Sequence, residues 1–279
     1  PALYFDVRDA INSPNGDAKT IAGLIARDAP LTARIRRMVN SGFFALPCSI
    51  ADLDHAISLL GTQIVLDLVL SVHLYRSLPK PPPGINIDKL WRHAFAVSAM
   101  ARHITAEFGG SRDEVNASGL AGLLHDIGSL ILLANFPGSY PSLIREAGGD
   151  EQTLCRLEKE SMGVDHAELG GLVLDLWCLP DSVVSAVNDH PASADPGPEG
   201  AGICSRALML AEWLVDGYAR SGGVLADAGE FASPYPLQHA QCGGWGDYFY
   251  GVSRRAGPWN VVRQPRTLWI LSVPVCWEG

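Results

Sequence analysis

The chain has 279 residues and a formal net charge of −9, with 47% hydrophobic and 18% charged residues. That composition is ordinary for a globular protein with a substantial core, and the acidic balance argues against a broad phosphate-binding surface. The six cysteines (Cys48, Cys155, Cys178, Cys204, Cys242 and Cys276) are scattered without a CxxC. They suit free thiols in a reducing cytoplasm better than disulfides or a zinc ribbon, so a cytoplasmic location is expected. No signal peptide is visible. The most apolar run, Ile64 to Leu74, is interrupted by Asp67 and His73 and is too short to span a bilayer. No membrane partner is expected.

From the start of the chain, residues 1–80 read as short helices. Asp17 is a candidate N-cap, after which Ile21, Leu24 and Ile25 repeat at helical spacing. Asp28-Ala29-Pro30-Leu31 ends that helix and opens another, with the proline in a first turn. Leu31, Ile35, Met38 and Val39 form its apolar stripe, and Asn40-Ser41-Gly42 stops it through residues that suit a left-handed end. Ser49 to Asp52 opens a further helix, and Thr62 to Leu74 is apolar on most sides, as expected of a central helix. His55 and His73 read as surface or satisfied core histidines. Pro79-Lys80-Pro81-Pro82-Pro83-Gly84 cannot continue a helix and marks the subdomain junction.

A long helix is expected over Ile87 to Phe108, where Leu90, Ala94, Val97, Ala101 and Ile104 make one stripe and His93 lies beside it. The next helix, Arg112 to His125, delivers the adjacent pair His125-Asp126 at its apolar end, and Ser129 to Asn135 continues as another. Pro141 to Gly163 reads as polar and helical, split by Gly148-Gly149. Asp165 can cap a helix that carries His166, and Pro180-Asp181 opens one on which Val183, Val187 and His190 share a face. A Pro/Gly/Ala-rich loop from Pro191 to Gly202 precedes the helix Ile203 to Tyr218, with Leu208, Glu212 and Val215 on one stripe. Residues 221–279 lose helical periodicity. Four arginines and three tryptophans in Gly251 to Gly279 suggest a single-strand contact, but a packed tail with short strands at Val261-Val262 and Leu268 to Val275 is preferred. Nucleic acid is therefore not an expected partner.

The chemistry rests on His93, His125 and Asp126, with His166 and His190 further on. Ionisable groups on buried helical faces are costly unless they are paired or ligate an ion. Imidazole and carboxylate donors suit iron, manganese, zinc or nickel. A metal so held can lower the pKa of a bound water and stabilise charge on a phosphate. The competing reading of His93, His125 and Asp126 is a buried hydrogen-bond network with every polar atom satisfied. For His166 and His190 a capping or core role competes with ligation.

Leu123-Leu124-His125-Asp126-Ile127-Gly128 resembles the signature of the HD superfamily of phosphohydrolases. The wider pattern resembles its HDOD branch, the HD-related output domain of bacterial signalling proteins. Asp28-Ala29-Pro30-Leu31, Val39-Asn40-Ser41, Trp91-Arg92-His93, Asp165-His166-Ala167-Glu168-Leu169-Gly170 and Trp177-Cys178-Leu179-Pro180 all match. The resemblance covers roughly residues 3–218. It implies an all-α, two-lobed helical bundle with an HD-type core. The proline-rich junction and the loss of periodicity divide the chain into an N-terminal subdomain over 1–80, the core over 85–220, and an irregular tail over 221–279 that the resemblance does not reach.

Set beside the related HD-GYP phosphodiesterases, which hydrolyse cyclic di-GMP, His93, His125, Asp126, His166 and His190 fall where that family has metal ligands. Asp189 stands where it has a histidine, Glu212 where an aspartate is usual, and Ser129 where a lysine follows the signature; the GYP motif is absent. Asp189 and Glu212 are accordingly read as structural. The resemblance implies a non-catalytic regulatory module with a vestigial or metal-binding HD site. Its expected partner is a signalling protein or sensor domain, with a nucleotide as a further candidate ligand. The alternative is a metal-dependent phosphohydrolase or phosphodiesterase acting on a nucleotide or cyclic dinucleotide.

Overall fold

The computed structural model describes residues 2–14, 16–40, 50–77, 87–191 and 201–220. Among the described residues there are thirteen helices and no strand. They fall into two units, residues 2–77 and residues 87–220. The polyproline segment, the expected loop after Pro191 as far as residue 200, and the expected tail strands lie outside the described residues.

The first unit holds α1 (Ala2–Ile11), α2 (Ala18–Ile25), α3 (Ala29–Val39), α4 (Leu53–Leu60) and α5 (Thr62–Ser77). The caps are where the side-chain chemistry puts them. Asp17 accepts from the Thr20 amide, and Asp28 accepts from the Leu31 amide at 2.9 Å while its other oxygen pairs with Arg76 at 2.8 Å. The apolar helix α5 packs against α1, α3 and α4, and buries Val65, Leu68, Val69, Leu70 and Val72. One expectation is corrected. Asn40 is not left-handed (φ −83°). Its side-chain amide instead donates to the carbonyls of Arg36 and Ile50 at 2.9 and 2.8 Å, and its oxygen accepts from the Ile50 amide at 2.6 Å. The asparagine ends the helix by tying its last turn to the residues that lead into α4.

The second unit holds α6 (Ile87–Glu107), α7 (Arg112–Leu124), α8 (Ile127–Asn135), α9 (Tyr140–Ala147), α10 (Glu151–Met162), α11 (His166–Leu176), α12 (Asp181–Asp189) and α13 (Ile203–Arg220). α6 packs on α7 and α13, α12 bridges α7 and α13, and α11 packs on α12 and α8. The expected split at Gly148-Gly149 separates α9 from α10. A second apolar cluster, with Leu132, Tyr140, Ile144, Leu154 and Leu157 buried in it, holds α8, α9 and α10 together. Arg112–Asn135 is long and apolar enough to cross a membrane by composition, but 72% of its apolar 18-residue stretch is buried, and it breaks into α7 and α8 at His125-Asp126.

Two glycines set how closely these helices meet. A Cβ on Gly122 would come within 2.8 Å of the Ser98 Cα, so α7 lies directly on the α6 backbone there. A Cβ on Gly128 would collide with the His166 carbonyl oxygen and come within 2.9 Å of the Gly170 amide nitrogen. The glycine two residues after Asp126 therefore lets the start of α8 touch the start of α11. Because the obstacle is backbone, it cannot rotate away. Gly128→Ala is expected to cost about 1–3 kcal/mol through overpacking. Gly138→Ala, with nothing within 4 Å of the added carbon, is expected to cost little. Denaturant unfolding of the two variants checks the contrast, and equal midpoints would contradict it.

Candidate metal centre

Two helices end in a histidine. His125 is the C-cap of α7 and His190 the C-cap of α12. His125 Nδ1 lies 2.8 Å from the Gly122 carbonyl oxygen, and His190 Nδ1 lies 2.6 Å from that of Val187. The last carbonyls of a helix lack an intrahelical partner, and a carbonyl can only accept. Each Nδ1 therefore carries the proton, and each Nε2 turns its lone pair towards the interior of the unit.

His166 is oriented from the other direction. It opens α11 behind a capping box in which Asp165 and Glu168 bond each other's backbone amides. Its backbone amide and its Nδ1–H both donate to Glu158 Oε2, at 2.9 and 2.7 Å. The Tyr140 hydroxyl donates to Glu158 Oε1 at 2.6 Å and lies 3.2 Å from Ser129 Oγ. Glu158, His166 and Tyr140 are fully buried. A carboxylate that commits Nδ1 leaves Nε2 as the available donor atom, the arrangement seen behind metal-bound imidazoles.

The four imidazoles of His93, His125, His190 and His166 stand in a row, with successive ring centroids 5.2, 5.4 and 5.2 Å apart. At one end, His125 Nε2 lies 3.2 Å from His93 Nε2, 3.1 Å from Asp126 Oδ2 and 3.4 Å from Glu212 Oε1. His93 Nδ1 faces Asp216 Oδ1 at 3.8 Å. Neighbouring donors on one ion at bond lengths of about 2.1 Å lie about 3.0–3.4 Å apart, so this cluster has the spacing of a coordination shell. At the other end, Asp126, His166 and His190 each place a donor atom within 4.8 Å of the others. Asp126 belongs to both groups, and its side chain is the more open one at 26% exposure while His125 is at 0%. The Nε2 atoms of His166 and His190 are buried and make no hydrogen bond. Glu151 Oε1 approaches His166 Nε2 to 2.8 Å, but the two are not aligned as donor and acceptor. A buried lone pair on His190 and a buried ring proton on His166 that a cation can replace, both facing carboxylates, are what a cation-binding donor set presents. The residues present therefore fit a divalent metal.

The last two histidines of the row, His190 and His166, differ in charge. Burial opposes a proton on His166, but the carboxylate of Glu151, with Cys155 and Glu158, outweighs it and holds the imidazole well above its ordinary range. Burial, reinforced by His166 and His125, pushes His190 down to about 3. A cation entering between them must displace the proton of His166, so metal affinity falls as pH falls.

All five histidines and carboxylates singled out in the sequence, His93, His125, Asp126, His166 and His190, come together in this one unit. Glu212, read from the sequence as structural, places Oε1 3.4 Å from His125 Nε2. Asp189 accepts a hydrogen bond from Ser205 at 2.9 Å and joins none of the donor groups found among the described residues. His55 is exposed, and burial lowers the pKa of the half-buried His73. The sequence reading missed Glu151, Cys155, Glu158, Tyr140 and Asp216. Two signals could have found most of them. Glu151, Cys155 and Glu158 recur at i, i+4 and i+7 along α10, and Asp216 follows Glu212 by one turn.

An all-helical unit with a His-Asp centre of this construction belongs to the HD-type helical class. Residues 1–193 match the model of the HDOD domain, and the chain belongs to the HDOD domain family. It is 24% identical over 190 residues to an uncharacterised Treponema pallidum (strain Nichols) protein, a match that takes in 68% of this chain and 36% of that one. The chain thus spans about a third of the length of that relative. Two solved structures share the fold. One is a Shewanella amazonensis SB2B protein assigned as a phosphohydrolase (TM-score 0.69, 21% identity, 92% of this chain and 91% of that one). The other is a Marinobacter aquaeolei VT8 protein assigned to signal transduction (TM-score 0.67, 21% identity, 92% of this chain and 56% of that one).

Glu158 can be tested directly. Glu158→Ala removes the acceptor of two buried donors on His166 and of Tyr140, and is expected to cost about 3–5 kcal/mol in denaturant unfolding. Tyr140→Phe, which leaves Glu158 paired with His166, should cost about 1–3 kcal/mol. The pH dependence of metal-free protein tests His190. Its folded pKa lies near 3, below the unfolded value of 6.5, so the unfolded chain binds the extra proton in that window. Stability should be fully present above pH 6.5 and decline as pH falls towards 3. His166 is protonated in both states over that window and adds no slope. Urea midpoints across the range should fall less steeply in His190→Gln.

Proposed function

We propose that this chain is a signal-transduction module whose HD centre binds divalent metal ions of the iron, manganese, zinc or nickel class, and that it acts through protein contacts and not through hydrolysis. The partner it fits is a signalling protein or sensor domain, with the metal-loaded centre setting how the helices of the second unit pack. The observation that carries this reading is the charge around the centre. Asp126, Glu151, Glu212 and Asp216 all lie within 4 Å of the row of imidazoles. Glu158, 2.7 Å from His166 Nδ1, adds a fifth, so the carboxylates outweigh two divalent ions and leave no surplus positive charge to draw in a phosphodiester. Ser129, where a hydrolase of the related class would carry a lysine, is buried against the Tyr140 hydroxyl. The fold neighbours are assigned variously to phosphohydrolysis and to signal transduction, and at 21% identity they support the scaffold alone.

A second reading, a metal-dependent phosphohydrolase, is favoured by Asp126. This partly exposed carboxylate is shared by both donor groups, a position from which it could orient an attacking water or take its proton.

Protein purified without chelator should contain a divalent metal at or above one equivalent. Chelation should lower its thermal midpoint and readdition should restore it, with about 2.7 kcal/mol at stake when free metal is 100-fold above Kd. No turnover of cyclic dinucleotides or simple phosphodiesters is expected with added manganese or iron. Hydrolysis that disappears in Asp126→Asn would establish the second reading in its place. A metal-free preparation indifferent to chelator would overturn the metal-binding part of both.

A further inference from the structure

The metal-binding reading rests on the histidines and the carboxylates around them; α10 brings two donors beside His166, one of them a thiol. Glu151 and Cys155 stand one turn apart on that helix. Each offers one donor atom, and together with a ring nitrogen of His166 these lie within 4.8 Å of one another. Glu151 Oε1 is 2.8 Å from His166 Nε2 and 4.0 Å from His190 Nε2. Both of those nitrogens are fully buried and without a hydrogen bond, so the carboxylate lies beside two imidazole nitrogens open to an ion and the thiol within reach of one of them. α10 is held in place independently, by Leu154 and Leu157 in the α8–α9–α10 cluster and by Glu158 on Tyr140 and His166.

We propose that Cys155 and Glu151 join His166 and His190 in coordinating the second ion, making it a zinc-class site with a thiolate ligand. This rests on the proposed metal binding and deepens it. The two ion positions then differ in chemistry. The ion between His93, His125 and Asp126 sees imidazole and oxygen donors, which suit iron, manganese or nickel. The ion at His166 and His190 sees a soft sulfur donor as well, which selects zinc over manganese or magnesium. Cys155 is half-buried, open enough for an ion to reach it, whereas Cys204 is buried and Cys178 is exposed; neither appears in a donor group among the described residues. On binding, the Cys155 thiol gives up its proton to solvent and the sulfur–metal bond replaces it, with no change of oxidation state.

The test is titration of the metal-free full chain with cobalt(II), a spectroscopic stand-in for zinc. The expected result is visible ligand-field bands together with a near-ultraviolet sulfur-to-cobalt charge-transfer band. The near-ultraviolet band should be lost in Cys155→Ser and kept in Cys178→Ser and Cys204→Ser, and zinc should displace it. Visible bands with no near-ultraviolet band, or a near-ultraviolet band that survives Cys155→Ser, overturn the thiolate ligand and leave metal binding by the histidines standing. No cobalt bands at all overturn both. Should Cys155→Ser not fold, brief alkylation of the wild-type protein read by peptide mass spectrometry decides the matter. Zinc should protect Cys155 and leave Cys178 reactive, and equal labelling of Cys155 with and without zinc overturns the proposal.

Discussion

The centre depends on how two helices end. At the C-termini of α7 and α12 a histidine donates Nδ1–H to a carbonyl of its own last turn, at 2.8 and 2.6 Å. The helix gains a partner for an orphan acceptor. The imidazole loses its freedom to choose a tautomer. One bond therefore serves both the end of the helix and the aim of the donor atom, and everything inside the row of histidines follows from it. His166 reaches the same condition by another route, through a buried glutamate that takes both its backbone and its ring proton. Rings oriented this way converge on the same small region without any of them needing to move.

Carboxylates then decide what that region can accept. Asp126 serves both ends of the row, Glu212 and Asp216 crowd the His93–His125 end, and Glu151 crowds the His166 end. Such a concentration of buried negative charge is expensive unless cations offset it. It couples any bound ion to the packing of α6, α7, α10, α11, α12 and α13, because each of those helices contributes a side chain. On the proposed function, metal occupancy and helix packing would be one equilibrium, through which a bound ion could act on the surface of the unit.

Much of the fold is legible along the chain. Asp17, Asp28, Asp150 and Asp165 all cap helices by accepting a backbone amide, and each is visible as an acidic residue just ahead of a helical run. The helix pattern places His93, His125 and Asp126 without ambiguity. Glu158 is not legible in that way. It lies in a helix whose exposed face carries Arg156, Lys159 and Glu160, and its own burial is decided by Tyr140 and His166 from other helices. Glu212 shows another limit: along the chain it is a carboxylate one methylene longer than the family pattern, and only the tertiary structure places its Oε1 3.4 Å from His125.

By itself the sequence determined which segments are helical, where most of them begin, and that a His-Asp pair stands at the end of an apolar one, because caps and a 3.6-residue period are local properties. Tertiary structure alone decided that four histidines form a row, that Asp126 is common to both ends, and that Glu151, Cys155, Glu158 and Asp216 stand around it. The physical reason is that periodicity names the face a helix buries and not the face it meets. Which ring nitrogen keeps its lone pair depends on the acceptor beside the other one, and for His166 that acceptor comes from a neighbouring helix.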